Sequence, residues 1–182
     1  MCSSDLINVD ESGVISGHDI AATLESGSEV RGDFELQENR FSGNFEGTVN
    51  LEELMPFVPP SAEEFIAANL GFENSDPVSF SGNISCDDLL KRDFELDVDI
   101  MAPLVEIRGL PFQNMSASVS VADNKLSVHG LDATACDELK ITGDAEFLID
   151  KNICTSSLLC LGRLDVLPAL LEQDNADRKS VV

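Results

Sequence analysis

The dominant pattern along the chain is an alternation of apolar and polar residues with a period of two. In residues 93–100, DFELDVDI, every even position is apolar and every odd position is acidic. Because successive side chains of a β-strand point to opposite faces of a sheet, this segment predicts a strand with one apolar and one acidic face. The apolar face carries Phe94, Leu96, Val98 and Ile100.

The same alternation recurs along most of the chain. Residues 116–121, SASVSV, repeat it with hydroxyl groups on the polar side, and residues 126–128 resume it after a turn at residues 122–125, which predicts a hairpin. Clean alternation favours antiparallel pairing, because parallel strands covered on both faces read as continuous apolar runs. Further strands are predicted at residues 14–20, 29–37, 40–49, 78–85, 104–108, 139–149 and 153–161.

Helices are a minor component of the prediction. Ser61 is a candidate N-cap, Glu64 is its capping-box partner, and Gly71 supplies a C-terminal stop after Leu70. A second short helix or turn is predicted at residues 51–57, and a third helix begins near Val166.

Three short segments recur about 110–115 residues later in the chain. Residues 16–19, 32–35 and 47–51 correspond to residues 129–132, 143–146 and 162–166. Repeats whose faces need a neighbour to be complete are typical of quasi-one-dimensional assemblies. We therefore expect the C-terminal part of one β repeat at residues 7–59, a helical connector at 60–77, a second repeat at 78–171 and a linker at 172–176.

The two ends of the chain read differently from the rest. Residues 1–6, MCSSDL, and residues 177–182, DRKSVV, match the translations of common sequencing adapters in the expected orientations. Such scars are excluded from fold reasoning. We expect residues 7–176 to be an interior slice of a longer gene product.

The charge balance restricts the possible partners. The chain holds 34 acidic and 11 basic residues, for a net charge of −23. Phosphates would be repelled, which excludes nucleic acid as a partner and disfavours adsorption to an anionic lipid face. The acids alternate with apolar residues, so they predict a solvated sheet face. Trp and Tyr are absent, whereas many recognition surfaces draw on them.

No catalytic motif stands out in the sequence. The chain has no G-x-S-x-G elbow, P-loop, dinucleotide fingerprint or H-E-x-x-H motif. We interpret His18 and His129 as surface residues beside turns, although a base or metal ligand is the other reading. The paired acids at 63–64 and 87–88 lack a calcium-binding loop. The sequence therefore predicts no enzyme, no catalytic residue, no metal site and no cofactor.

Four cysteines lie outside the adapter-like ends, and none forms a C-x-x-C pair or has a His at zinc-ligand spacing. We interpret them as small apolar residues of the sheet, with one disulfide as the open alternative. They are Cys86, Cys136, Cys154 and Cys160.

Part of the chain resembles a known repeat. Residues 105–115, VEIRGLPFQNM, are followed by the hairpin at 117–128, LDAT at 131–134 and ITGDAE at 141–146. This succession is similar to the repeat of AsmA/TamB-type bacterial envelope proteins, and it covers most of residues 78–170. One departure is the segment 136–138, CDE, where the family often carries a glycine pair.

The resemblance implies a long, U-shaped (taco-like) antiparallel sheet whose concave face is apolar. Such proteins are usually anchored in the inner membrane, cross the periplasm and are associated with phospholipid movement or outer-membrane homeostasis. We therefore expect an all-β, antiparallel, curved sheet with one to three short helices, in the periplasm. The expected partners are phospholipid acyl chains and neighbouring repeats of the same parent chain.

A continuous apolar trough has a clear physical use. Moving a two-chain lipid with roughly 30 CH₂ groups into water costs on the order of 20 kcal/mol, and an apolar wall removes most of that barrier. The alternative is a structural or adhesive cell-surface β-repeat protein with a closed core and no lipid, and the strand order discriminates the two. The candidate groove residues are Phe94, Leu96, Val98, Ile100, Val119, Val121, Leu126, Val128, Ile141, Phe147 and Ile149.

Overall fold

The described part of the chain forms one antiparallel sheet and one short helix. The computed structural model describes residues 7–24, 27–55, 70–71, 75–91, 94–135, 139–151 and 153–162. The elements are β1 (Ile7–Val9), β2 (Ile15–Thr23), β3 (Glu29–Gln37), β4 (Arg40–Val49), α1 (Leu51–Leu54), β5 (Leu70–Gly71), β6 (Val78–Cys86), β7 (Phe94–Ile107), β8 (Leu110–Ala122), β9 (Lys125–Ala135), β10 (Leu139–Leu148) and β11 (Ile153–Gly162).

The strands follow one another across the sheet almost in chain order. The order is β1-β2-β3-β4-β6-β7-β8-β9-β10-β11, and β5 pairs with the end of β7. The extensive contacts between elements are all between neighbours in this sheet. The predicted fold class, an all-β, antiparallel, open and curved sheet with a short helix, is therefore confirmed.

Tight turns join the longest strands. Asp123 and Asn124 have φ angles of 50° and 59° between β8 and β9, and Arg108 and Gly109 have φ angles of 53° and 74° between β7 and β8. Two consecutive positive φ angles are typical of the two-residue hairpin turns that match the twist of antiparallel strands. The predicted hairpin at residues 117–128 is confirmed, with its turn residues at the expected place.

The prediction of two separate strands at residues 93–100 and 104–108 was wrong, because β7 is one strand that passes through Pro103. Proline lacks the N–H that a central strand donates. It is tolerated here because β6 pairs with β7 only as far as Met101, and β5 takes over at Glu106. Between these ladders the Asp76 amide donates to the Leu104 carbonyl over 2.8 Å.

The apolar pattern changes phase within β7 and β8. On β7 the even positions up to Ala102 are apolar, whereas beyond Pro103 the buried position is the odd one, Val105. The same change occurs on β8 beside Asn114, whose φ is 51°. Because both partners change phase at the same level, the register between them is unbroken and the apolar face is continuous.

The described residues test two of the predicted helices. The helix or turn at residues 51–57 is present as α1, Leu51–Leu54. The expected end of the helix that begins at Ser61, with Leu70 followed by Gly71, was wrong: these two residues pair with Ile107 and Glu106 as a strand. The rest of that helix, the helix near residue 166, the linker at 172–176 and both adapter-like ends lie outside the described residues.

The two clusters of buried apolar side chains lie at one end of the sheet, whereas the buried Cys86 lies at the other end, where β6 ends. The clusters are formed by the ends of β7 and β9 and the starts of β6, β8 and β10, with Leu51 of α1 packed against them. The sheet is open, because β1 and β11 at its two ends do not pair with each other in the described ranges. The core residues are Val49, Val78, Cys86, Ala102, Val105, Phe112, Ala133, Ala135, Leu139 and Ile141.

Candidate functional site

The candidate site is the apolar face of the sheet, which consists of rows of side chains that run across the strands. Residues directly opposite each other in an antiparallel pair lie on the same face, so the register gives each row. One row is Phe34, Gly43, Ile84, Leu96, Val121, Leu126, Phe147 and Cys154. The next is Gly32, Phe45, Gly82, Val98, Val119, Val128, Ala145 and Ser156.

Most of the groove candidates predicted from the sequence lie together on this face, half-buried. Phe94 is at the start of β7 and 42% exposed. Ile141 shares the face but belongs to the buried end of the sheet. Ile149 lies in the turn after β10, and its amide donates to the Asn124 carbonyl over 2.8 Å. The structure therefore brings the other nine together with Ile141 and places Ile149 apart.

Sequence reasoning missed the N-terminal half of the same face. There bulky and small residues alternate between neighbouring strands, so that Phe45 lies between Gly32 and Gly82. The ring of Phe80 lies against Gly47, where an added Cβ would stand 2.9 Å from its Cζ atom. The sequence does contain a signal for these residues: in β3, β4 and β6 the positions on the apolar face alternate between bulky residues and glycines. The missed residues are Phe34, Leu36, Phe41, Phe45, Phe80 and Ile84.

The opposite face is polar, and its carboxylates on β7 do not stand directly opposite one another. Asp97 of β7 stands between Asn83 and Ser120. Asp99 stands in the same way between Ser81 and Ser118, and the Ser118 hydroxyl donates a hydrogen bond to its carboxylate. Like charges directly opposite each other destabilise a sheet. The serines and asparagine therefore separate the carboxylates and keep an acidic face compatible with pairing.

A shallow groove of about 950 Å³ lies on this polar face, across six strands from β3 to β9. Its central row is Arg31, Glu46, Ser81, Asp99, Ser118 and His129. The resemblance to AsmA/TamB-type proteins implies a concave face that is apolar. The groove and the groove candidates predicted from the sequence lie on opposite faces of the sheet.

The two histidines occupy equivalent bulges. Nδ1 of His18 lies 3.6 Å from Oδ1 of Asp33, and Nδ1 of His129 lies 3.6 Å from Oδ1 of Asp144. The equivalence of residues 16–19 with 129–132 was therefore misaligned by two residues, since His18 matches His129 at an offset of 111. Both imidazoles are more than half exposed, so each contact lies at the surface of the sheet.

Asp10 and Arg31 have pKa values that are displaced from their ordinary values. The pKa of Asp10 is lowered because its carboxylate accepts hydrogen bonds from the Ser12 hydroxyl and the Val14 and Ser12 amides. The pKa of Arg31 is raised by its hydrogen bond to Glu29. Both groups are exposed: Asp10 lies in the turn between β1 and β2, and Arg31 lies on the polar face.

Within the described ranges, no group of three or more His, Cys, Asp or Glu side chains is arranged to hold a metal ion. Cys86, Cys154 and Cys160 are free thiols, and Cys136 lies outside the described residues. No helix in the part of the chain that is described is long and apolar enough to cross a membrane.

Comparison of the chain with protein-family models, with curated proteins and with solved structures found no match.

Proposed function

We propose that this chain is a non-catalytic wall segment of an envelope protein, and that its apolar face carries phospholipid acyl chains during lipid transfer or outer-membrane homeostasis. The observation that carries the proposal is the unbroken apolar face, which runs from β3 to β11 and is not covered by a second sheet in the described part of the chain. The closed two-layer core that a purely structural repeat would need is not formed by these strands.

The dimensions of the face suit an acyl chain. The row from Ile84 to Cys154 crosses six strands, and at about 4.8 Å between strands it is about 24 Å long. One acyl chain spans about half of a hydrocarbon core that is about 30 Å thick. An extended acyl chain is therefore shorter than this row, and the apolar face has room for it along the row.

The chemistry of the face suits passage better than tight binding. Its members between β6 and β10 are aliphatic or aromatic, and they offer no directional contact to a head group. Apolar burial is proportional to area and has no preferred direction, so a tail can slide along the rows at little cost. The acidic opposite face keeps such a wall hydrated, and it repels anionic head groups toward the apolar side.

The direct test replaces one apolar row by isosteric polar residues. Val98, Val119 and Val128 are neighbours across three strands, and Val→Thr at all three keeps shape and β-branching while adding hydroxyls. The matched control, Ser→Thr at Ser81, Ser118 and Ser120, adds methyl groups to the polar face. Circular dichroism confirms that both variants fold.

The readouts are the affinity for a fluorescent fatty acid and the rate of labelled phospholipid transfer between neutral vesicles. The valine variant should lose affinity at least tenfold, because the loss of apolar transfer energy at three sites exceeds about 1.4 kcal/mol. The control should bind like the parent chain. Equal binding by the parent and the valine variant, or equal loss in both variants, would contradict the proposal.

A further inference from the structure

The apolar face carries aromatic rings in its first half and aliphatic side chains in its second half. Phe34, Phe41, Phe45 and Phe80 lie on β3, β4 and β6, and all four are half-buried. We call these four rings the aromatic platform. On β7, β8 and β9 the two rows described above hold only leucine and valine. One continuous face therefore presents two kinds of apolar surface.

Two rings of the aromatic platform lie over glycines of a neighbouring strand. Phe34 stands opposite Gly17, and a Cβ added to that glycine would lie 2.5 Å from Cε1 of the ring. Phe80 stands opposite Gly47, where an added Cβ would lie 2.9 Å from Cζ. Each ring therefore extends along the sheet and covers the backbone of the glycine opposite.

The rings of the aromatic platform also contact one another in pairs. The ring centroids of Phe34 and Phe41 are 6.4 Å apart, with only 27° between the ring planes. The centroids of Phe45 and Phe80 are 5.9 Å apart, with the planes tilted by 51°. Both distances are typical of favourable aromatic pairs. The platform is therefore a stiff surface built from rings that hold each other in place.

The duplicated part of the sheet carries smaller or aliphatic side chains at the equivalent positions. Phe34 corresponds to Ala145 at the offset of 111 residues. Phe45 corresponds to Leu158, because each stands opposite the glycine that precedes the bulge aspartate. The same arrangement of strands thus forms without rings in the second copy. Strand pairing does not require the rings, so they are a chemical feature of the first copy.

We propose that the aromatic platform binds lipids with a flat, fused-ring skeleton, whereas the aliphatic rows take flexible acyl chains. This inference rests on the proposed function, because it names a second class of cargo for the same face. A fused-ring skeleton loses little conformational entropy on binding, whereas a flexible chain must be ordered. A stiff skeleton also contacts several rings at once, and dispersion attraction grows with the number of contacts.

The test compares two probes on the full chain: dehydroergosterol, which is a fluorescent sterol, and a fluorescent fatty acid. The first variant carries Phe45→Leu and Phe80→Leu, which keep the face apolar and copy the leucine that the second copy has in place of Phe45. An independent variant of the other ring pair carries Phe34→Leu and Phe41→Leu. The matched control is the Val→Thr variant of the aliphatic rows. Circular dichroism identifies any variant that does not fold.

Either phenylalanine variant should lose affinity for dehydroergosterol about tenfold, because two ring contacts are removed. Its affinity for the fatty acid should change by less than about twofold, because the side chains remain apolar. The valine variant should show the reverse pattern. Equal loss of both probes in the phenylalanine variants, or sterol binding that they leave unchanged, would overturn the inference.

The two probes also separate this inference from the proposed function. If the parent chain binds the fatty acid but not the sterol, the second class of cargo is wrong and the proposed function stands. If it binds the sterol through the rings but not the fatty acid, the acyl-chain proposal is wrong and the aromatic platform stands. If it binds neither probe, both are wrong.

Discussion

Oδ1 of Asp144 accepts a hydrogen bond from the Gly130 amide over 2.9 Å, inside the bulge that His129 begins. Gly130 has a φ of 60°, so its N–H points out of the ladder and would otherwise be left to water. The carboxylate supplies the acceptor that the bulge removes from the partner strand. The same contact joins the Asp19 amide to Asp33 over 2.9 Å in the first copy.

Asp144→Ala should therefore lower the free energy of unfolding by about 1 kcal/mol, because the bulge amide loses a charged acceptor. Asp144→Asn retains an oxygen acceptor and should lose less. Urea denaturation measures both changes. If Asn and Ala are equally destabilising, the contact is a charge effect and not a hydrogen bond. Asp33→Ala should add to Asp144→Ala, since the four strands β4, β6, β7 and β8 lie between the two bulges.

The glycines of the apolar face should differ in their tolerance of alanine. An added Cβ at Gly82 would overlap the Asp97 carbonyl oxygen, whereas one at Gly43 would stand 3.0 Å from the Asp33 carbonyl oxygen. Gly82→Ala should cost about 1–3 kcal/mol, because backbone atoms must shift. Gly43→Ala should be close to neutral, since alanine also restricts the unfolded chain. Urea midpoints that reverse this order would contradict the close approach at Gly82.

The regular strands were predictable because each carries its own alternation. β3 and β4 have the bounds that the pattern predicts, since a one-residue slip would move every apolar side chain to the wrong face. The candidates Leu96, Val98 and Val119 were placed on one face for the same reason.

The remaining features depend on contacts that a single strand does not contain. The N-terminal half of the apolar face was missed because Gly32 and Gly47 read as interruptions, whereas a neighbouring strand supplies the ring that covers each of them. Pro103 read as the end of a strand, but it is accommodated because the partner changes there from β6 to β5. The bulge at Asp19 also depends on the neighbouring strand, and it is not visible in the sequence of β2. The alignment of residues 16–19 with residues 129–132 was therefore displaced by two residues.

The turn between β1 and β2 should respond to acid. The pKa of Asp10 is lowered by its hydrogen bonds to the Ser12 hydroxyl and to the Val14 and Ser12 amides. A carboxyl whose pKa is lower in the folded chain stabilises the turn above its unfolded value, and that stabilisation is lost as the pH falls through the folded value. The amide resonances of Ser12 and Val14 should therefore titrate with a midpoint below 3.8, the ordinary pKa of an aspartate side chain. Asp10→Asn should abolish that pH dependence, and a midpoint above 3.8 would contradict the contact.

The spacing of carboxylates on the polar face gives the sharpest electrostatic prediction. Ser118 stands directly opposite Asp99, so Ser118→Asp places two carboxylates face to face. The matched control, Ser118→Asn, has nearly the same shape and keeps an N–H donor for Asp99. Ser118→Asp should be less stable than Ser118→Asn by up to about 1 kcal/mol at low salt.

That deficit should shrink in about 1 M salt, where the Debye length falls to about 3 Å. It should also shrink in acid, because a facing carboxylate raises the pKa of the pair in the folded chain, and the penalty is relieved once one of them takes a proton. Urea denaturation of both variants at two salt concentrations measures the difference. If the difference in unfolding free energy between the two variants is the same at low and high salt, repulsion between carboxylates does not cause it. Ser118 would then stabilise the sheet by packing and not by keeping two charges apart.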